Sequence, residues 1–335
     1  MKARAIVFEA PDRVGMRDFD LRAPRGDEVV IETAATCVSP GTELRRLRGK
    51  ECVGSAGFPL VPGYCLAGRV TARGPEAAVE DGARVVTFVS VDAGGLKLGE
   101  GGHVSHALTP SPLLARVPYG VSMADASASV LAGIALHGLS MARPAPGDKV
   151  AVIGLGAIGQ MALRLAHAVG VDAVGCDLSP GRVELGAKSG ARAVKPDAPG
   201  ALRAAFAPFF PNGADVVVDC TGSAKALASG IAVGRGQPWD PLRDAPGVRY
   251  VMLGSYEGDF TISYAAAYAG QCCFMVPRGS QISDCQRALD MMDRGQLRLA
   301  DVISAVRRPE EAARTYEELK DPRGPLVTAV FDWTR

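Results

Sequence analysis

Hydrophobic positions follow two rhythms along the chain. Over the first 120 residues, short alternating or apolar runs (Ala3–Phe8, Glu28–Thr33, Gly68–Ala72, Arg84–Phe88) are separated by turns such as Pro24-Arg25-Gly26-Asp27. Runs of this length bounded by Gly, Pro and Asp predict strands, and no strong helical pattern precedes Ser122. From Ser122 to Ala142 the chain is rich in Ala, Leu and Ser at helical spacing, and Pro144-Ala145-Pro146-Gly147-Asp148 breaks it. A strand–helix alternation then begins. Lys149–Gly154, Asp172–Asp177, Ala214–Cys220, Val248–Gly254 and Cys272–Val276 read as strands, Ala157–Val169 and Pro180–Ser189 as helices. That order predicts a doubly wound parallel α/β sheet. The chain then returns to short elements: helices near Gln281–Arg294 and Pro309–Leu319 and a strand over Leu326–Trp333.

Composition narrows the class. With 335 residues and a typical domain of about 150, two domains are expected. Lys plus Arg total 37 against 36 Asp plus Glu, a net charge of +1, so the totals carry no footprint of nucleic acid or an anionic membrane. The longest apolar stretches, Val150–Gly156 and Ala214–Val218, are strand-sized, far below the roughly 18 residues of a membrane span. The opening residues alternate like a strand and lack the apolar core of an export signal. The eight cysteines are scattered, without a C-x-x-C pair, which reads as small buried hydrophobes in a reducing cytoplasm.

Gly154-Leu155-Gly156-Ala157-Ile158-Gly159 is a G-x-G-x-x-G that closes a strand and opens a helix, the context that gives this motif its meaning. The first glycine permits the tight turn, the second close approach of a pyrophosphate, and the third close packing of helix on strand. The helix start offers N–H groups and partial positive charge to phosphates. Asp177 ends the second strand about 20 residues on, where an acid accepts from ribose hydroxyls. It favours NAD over NADP by repelling a 2′-phosphate. Arg182 is placed to stack on adenine or partner a phosphate. Cys220-Thr221-Gly222 and Leu253-Gly254-Ser255 end later strands, so they are expected on the nicotinamide side.

Pro40-Gly41-Thr42-Glu43, Val61-Pro62-Gly63-Tyr64, Gly82-Ala83-Arg84-Val85, Gly101-Gly102-His103-Val104, Pro146-Gly147-Asp148-Lys149-Val150 and the glycine motif together resemble the medium-chain dehydrogenase/reductase family over nearly the whole chain. The resemblance implies a GroES-like β-rich catalytic domain over residues 1–130 and a Rossmann domain over 131–277. Residues 278–335 would return to complete the first domain. The active site would lie between the domains. Zinc alcohol dehydrogenases of this family carry a Cys two residues before a Ser or Thr, a Gly-His-Glu, and a third Cys or Glu ahead of the Rossmann domain. Here those places read Pro40, Gly63-Tyr64-Cys65 and Val130 or a neighbour, and Val89–Gly102 lacks the cysteines of a structural zinc lobe. Pro and Val cannot bind zinc and Tyr is a rare ligand. The pattern therefore resembles a zinc-free branch, that of the bacteriochlorophyllide hydroxyethyl dehydrogenases, in which no metal is expected.

Without a metal, hydrogen-bond donors must manage charge on the substrate oxygen. Thr42 is a candidate proton relay or a helix cap. Tyr64 is a candidate acid–base group or a packed aromatic. Glu43 is a candidate general base or a structural carboxylate. His103 and His106 read as facing solvent or core. Val89, Tyr256 and Tyr268 are candidate pocket residues, the tyrosines alternatively dimer contacts. The expected function is zinc-independent, NAD-linked interconversion of a secondary alcohol and a ketone on a mid-sized metabolite. NAD(P)H-dependent reduction of an activated C=C bond, as in quinone and enoyl reductases, and a non-catalytic cofactor-binding role are the alternatives. A homodimer is expected through the last sheet strand, Cys272–Val276. The loops Lys50–Phe58 and Arg235–Pro246 are expected to shape or cover the pocket.

Overall fold

The computed structural model describes residues 1–50, 57–236, 240, 242 and 246–335. Much of the loops at 50–58 and 235–246, read above as pocket-shaping, lies outside the described residues. The chain divides into two compact units, Met1–Gly133 with Gln281–Arg335, and Ile134–Ser280. The boundary falls within helix Met123–Ala142. No helix of the described residues is long and apolar enough to cross a membrane.

The first unit is built on strands whose alternation feeds two cores. In Lys2–Ala10, Ala3, Ala5 and Val7 enter one core while Ile6 and Phe8 enter the other, as the period of two requires. Glu28–Cys37 pairs antiparallel with Leu66–Arg73, with His106–Pro110 and with Thr328–Asp332. The last pairing sets Phe331 opposite Thr36 and Val330 opposite Cys37. Helix Ala312–Leu319 then buries Tyr316 and Leu319 beside Phe8 and Phe331. The unit is therefore closed by a segment remote in sequence.

Two elements depart from the pattern reading. A helix spans Pro40–Leu47, well before Ser122; eight residues containing Gly41 and Thr42 leave too little apolar periodicity to detect. Its N-cap is Ser39, with Pro40 in the first turn, a position that suits proline. Thr42 lies inside the helix and is not the cap. Arg13–Asp20 is a strand paired along Lys2–Ala10; half of its residues are exposed, and Val14, Met16 and Phe19 alone pack on the cores, too few apolar positions to stand out in the pattern.

In the second unit, the described strands form a parallel sheet in the spatial order Arg192–Val194, Asp172–Cys176, Lys149–Ile153, Val216–Asp219, Arg249–Met252, Cys273–Met275. This is the doubly wound order, with the crevice for ligands at the carboxyl ends beside the first strand. Val216–Asp219 is buried at every residue, as expected of a strand covered on both faces. Helix Ala157–Ala168 follows the first strand directly.

Candidate active site

The glycine turn follows from close approach. Gly154 sits at φ +84°, and a Cβ there would meet Thr221 Cγ2 at 2.8 Å. A Cβ on Gly159 would stand 1.7 Å from the Gly154 carbonyl oxygen, so only glycine lets this helix start against the strand. Gly156 faces open space, its nearest neighbour Arg182 Nη1 at 3.8 Å from the ideal Cβ position. Gly154, Gly156 and Ile158 are half-buried while Leu155, Ala157 and Gly159 are buried. No side chain caps this helix and its first turn holds no acid. Its N–H groups are therefore open to an anion, with no competing carboxylate in the first turn.

Asp177 organises the turn. Its Oδ2 accepts the Leu155 N–H at 2.7 Å and its Oδ1 the Ser179 N–H at 2.8 Å, with Arg182 Nη1 at 3.9 Å. The Leu155 carbonyl accepts from Gln160 Nε2 at 3.2 Å, and the same amide donates to the Arg182 carbonyl at 2.8 Å. The buried Gln160 thus joins the glycine turn to the helix carrying Arg182, a role that spacing alone does not reveal.

The two later turns are tied by Asp219, which is fully buried. Its Oδ1 accepts the Thr221 N–H and hydroxyl at 2.8 and 2.6 Å, and its Oδ2 the Tyr250 hydroxyl at 3.2 Å. Its carbonyl accepts the N–H groups of Leu253 and Gly254, each at 2.8 Å. Burial raises the carboxyl above its ordinary value, against the donors that lower it. Gly222 and Gly254 pack backbone to backbone: a Cβ on Gly254 would meet Gly222 N at 2.3 Å, and one on Gly222 would meet the Ser255 carbonyl oxygen at 2.6 Å. Cys220, Ser255 and Tyr256 are half-buried. The Tyr256 ring lies 5.4 Å from that of Phe260, and burial with the Asp219 charge raises its phenol. Tyr268 is 71% exposed and stacked on Tyr264 at 5.7 Å.

In the β-rich unit, the structure brings Tyr64 together with Thr42. The half-buried Tyr64 hydroxyl bonds Ser39 Oγ, and the Thr42 hydroxyl is close enough to help lower its pKa. Burial pushes this phenol above its ordinary value, the two hydroxyls pulling the other way. Val89 is half-buried beyond strand Arg84–Thr87.

Glu43 is fully enclosed. Its Oε1 accepts the Ser39 N–H at 2.7 Å; its Oε2 meets His103 Nε2 at 2.9 Å and accepts from the Tyr316 hydroxyl. His103 Nδ1 meets Thr36 Oγ1 at 2.8 Å, and Thr36 Oγ1 accepts from Trp333 Nε1 at 3.1 Å. His103, Tyr316 and Thr36 are also wholly buried. The His103 ring needs Gly63, where a Cβ would stand 2.5 Å from its Cδ2. His103, read above as facing solvent or core, is thus a core histidine bonded at both ring nitrogens.

A model of the zinc-binding dehydrogenase family matches residues 157–236. A 2-desacetyl-2-hydroxyethyl bacteriochlorophyllide A dehydrogenase of Cereibacter sphaeroides is 24% identical over 99% of both chains. Among solved structures, an Escherichia coli oxidoreductase/dehydrogenase of unknown specificity superposes with a TM-score of 0.85 at 16% identity, covering 99% of each chain. A protein from the same species described as a short chain alcohol dehydrogenase, complexed with NADH, superposes at 0.81 and 17% identity, again over 99% of each. The fold is that of the medium-chain dehydrogenases/reductases, a GroES-like unit and a Rossmann unit, and the chain is similar in sequence to a dehydrogenase over nearly its whole length.

Among the described residues, those at the metal-ligand places of the motif do not fit a catalytic zinc. Pro40 has no donor, and the Tyr64 hydroxyl is engaged by Ser39. His103 is committed to Glu43 and Thr36. Among the described residues no group of three or more His, Cys, Asp or Glu could hold a metal.

Proposed function

We propose that this protein is a zinc-independent, NAD-linked enzyme that interconverts a secondary alcohol and a ketone on a mid-sized metabolite. The observation that carries the reading is the Tyr64 phenol, bonded by the Ser39 hydroxyl with the Thr42 hydroxyl near it, in a motif whose relatives offer a metal ligand. The activities for which the similar proteins are named support dehydrogenation of an alcohol, and the NADH of one neighbour supports a nicotinamide cofactor.

When bound, the nicotinamide supplies the acceptor or donor of hydride. The turn from Gly154 to Gly159 and the start of its helix fit a pyrophosphate, Asp177 the adenosine ribose, and the turns at Thr221 and Gly254 the nicotinamide end. Tyr64, raised by burial, stays protonated at neutral pH and donates to the substrate oxygen as that oxygen gains negative charge. In the direction of oxidation, Tyr64 Oη receives the alcohol proton as it passes its own to Thr42 Oγ1, and the half-buried Thr42 hydroxyl releases its proton to solvent. This hydroxyl relay needs no free phenolate.

The test is NADH absorbance at 340 nm with chelator-treated protein, offered secondary alcohols with NAD and conjugated enones with NADH. Turnover of alcohols at a rate unchanged by chelation is expected. Turnover of enones alone would replace the reading with C=C reduction. Loss of alcohol oxidation on chelation, restored by zinc, would overturn zinc independence.

A second expectation concerns Asp177. Replacing it with alanine removes both the acceptor of the Leu155 N–H and the charge that disfavours a 2′-phosphate. NADH binding, followed by fluorescence titration, should weaken about tenfold, and NADPH binding should weaken less. Equal losses for the two cofactors would remove Asp177 from the selection.

The reading includes a cytoplasmic homodimer without nucleic-acid or membrane partners. Strand Cys273–Met275 is a sheet edge, Cys273 is exposed and Val276 is 68% exposed, a surface suited to a second copy. A monomeric mass in solution at micromolar protein would contradict it.

A further inference from the structure

We propose that Ser39 is a positioning residue of the reaction, holding the Tyr64 phenol in its working orientation instead of capping the helix it begins. The proposal rests on the reading of Tyr64 as the group that serves the substrate oxygen.

A serine at a helix N-cap ordinarily turns its hydroxyl back to accept an N–H of the first turn. Ser39 occupies the N-cap of Pro40–Leu47, yet its side chain makes no cap bond. The hydroxyl is turned instead onto the Tyr64 hydroxyl. The backbone of Ser39 is pinned independently, its N–H donating to Glu43 Oε1 at 2.7 Å. Glu43 is itself fixed by His103 and Tyr316. Ser39 is 5% exposed, so solvent does not compete for its hydroxyl. The diverted side chain therefore leaves a rigid anchor.

Thr42 follows three residues later, on the same side of the helix start, and its hydroxyl lies near the same phenol. The Ser39 bond restricts the swing of the phenol O–H about the C–O axis, and so sets where the remaining lone pair or proton of Tyr64 Oη points. Local helix stability is given up for orientation, the balance expected at a functional site.

The test uses the full chain carrying Ser39→Ala, Ser39→Thr or Tyr64→Phe, each checked for an unchanged amide spectrum. With tyrosines labelled at Cζ with carbon-13, the Tyr64 line is the one absent from Tyr64→Phe. In Ser39→Ala this line is expected to shift or broaden while the other tyrosine lines stay in place, and Ser39→Thr is expected to restore it. An unmoved Tyr64 line in Ser39→Ala overturns the proposal, whatever the activity. With the secondary alcohol from the panel that gives the highest rate, Ser39→Ala should lower kcat about tenfold with KM within about twofold, and Ser39→Thr should recover most of it. An unchanged kcat in Ser39→Ala together with a lost kcat in Tyr64→Phe overturns the role of Ser39 and leaves that of Tyr64. An unchanged kcat in Tyr64→Phe overturns the reading of Tyr64, and the role of Ser39 in the reaction falls with it.

Discussion

Replacing Glu43 with alanine is expected to destabilise the β-rich unit by about 3–5 kcal/mol, the range for breaking a buried ionic or hydrogen-bonded cluster by removing one partner. Three donors, the Ser39 N–H, His103 Nε2 and the Tyr316 hydroxyl, meet this carboxylate, and their residues are at most 5% exposed. None of them finds water once the carboxylate is gone, and each unsatisfied buried donor costs about 1–3 kcal/mol. Glu43→Gln should cost less, because one amide oxygen still accepts, although its NH2 group then faces donors. A urea titration followed by tryptophan emission reads the effect, since Trp333 donates into the same network through Thr36. A loss below about 1 kcal/mol in Glu43→Ala would mean that the cluster is not a structural keystone.

Tyr64→Phe should lower kcat about 100-fold, the lower end of what a positioned proton donor contributes, with KM changing far less. The ring remains to fill its half-buried place, so the fold should persist, and Ser39 loses only a hydrogen-bond partner. Thr42→Val, which removes the hydroxyl at nearly constant shape, should fall between this variant and the unaltered chain. Steady-state rates at 340 nm decide both. A kcat for Tyr64→Phe within about threefold of the parent would require a different donor to the substrate oxygen.

Sequence patterns identify parts of this molecule in proportion to how local their physics is. The glycine turn and Asp177 are legible because the steric demands at Gly154 and Gly159 are written into residue types at short, fixed spacing. The strand–helix alternation is legible for the same reason: each apolar run reports its own burial. Helix Pro40–Leu47 is not, because its existence depends on Glu43, Arg45 and Leu47 being buried by the rest of the unit. The partnership of Glu43 with His103 and Tyr316 joins residues separated by 60 and 273 positions, beyond the reach of any spacing rule. Ser39 goes unread for a subtler reason. Its place before Pro40 suggests a cap, and only the direction of its hydroxyl reveals the tie to Tyr64.

The split construction of the β-rich unit imposes an order on biosynthesis. Strand Thr328–Asp332 and the hydroxyl of Tyr316 complete a core and a hydrogen-bond network begun by residues 5–43. During translation the inserted α/β unit, Ile134–Ser280, has all of its strands before that completion is available. At about 5–20 residues per second, the amino-terminal strands wait through the synthesis of nearly 300 further residues with Glu43 unburied and one edge of Glu28–Cys37 unpaired. The nascent chain is then most exposed to misassociation in its earliest-made part. Solubility in the cell should therefore be more sensitive to changes at Tyr316 and Phe331 than to equally buried changes within the sheet of the inserted unit.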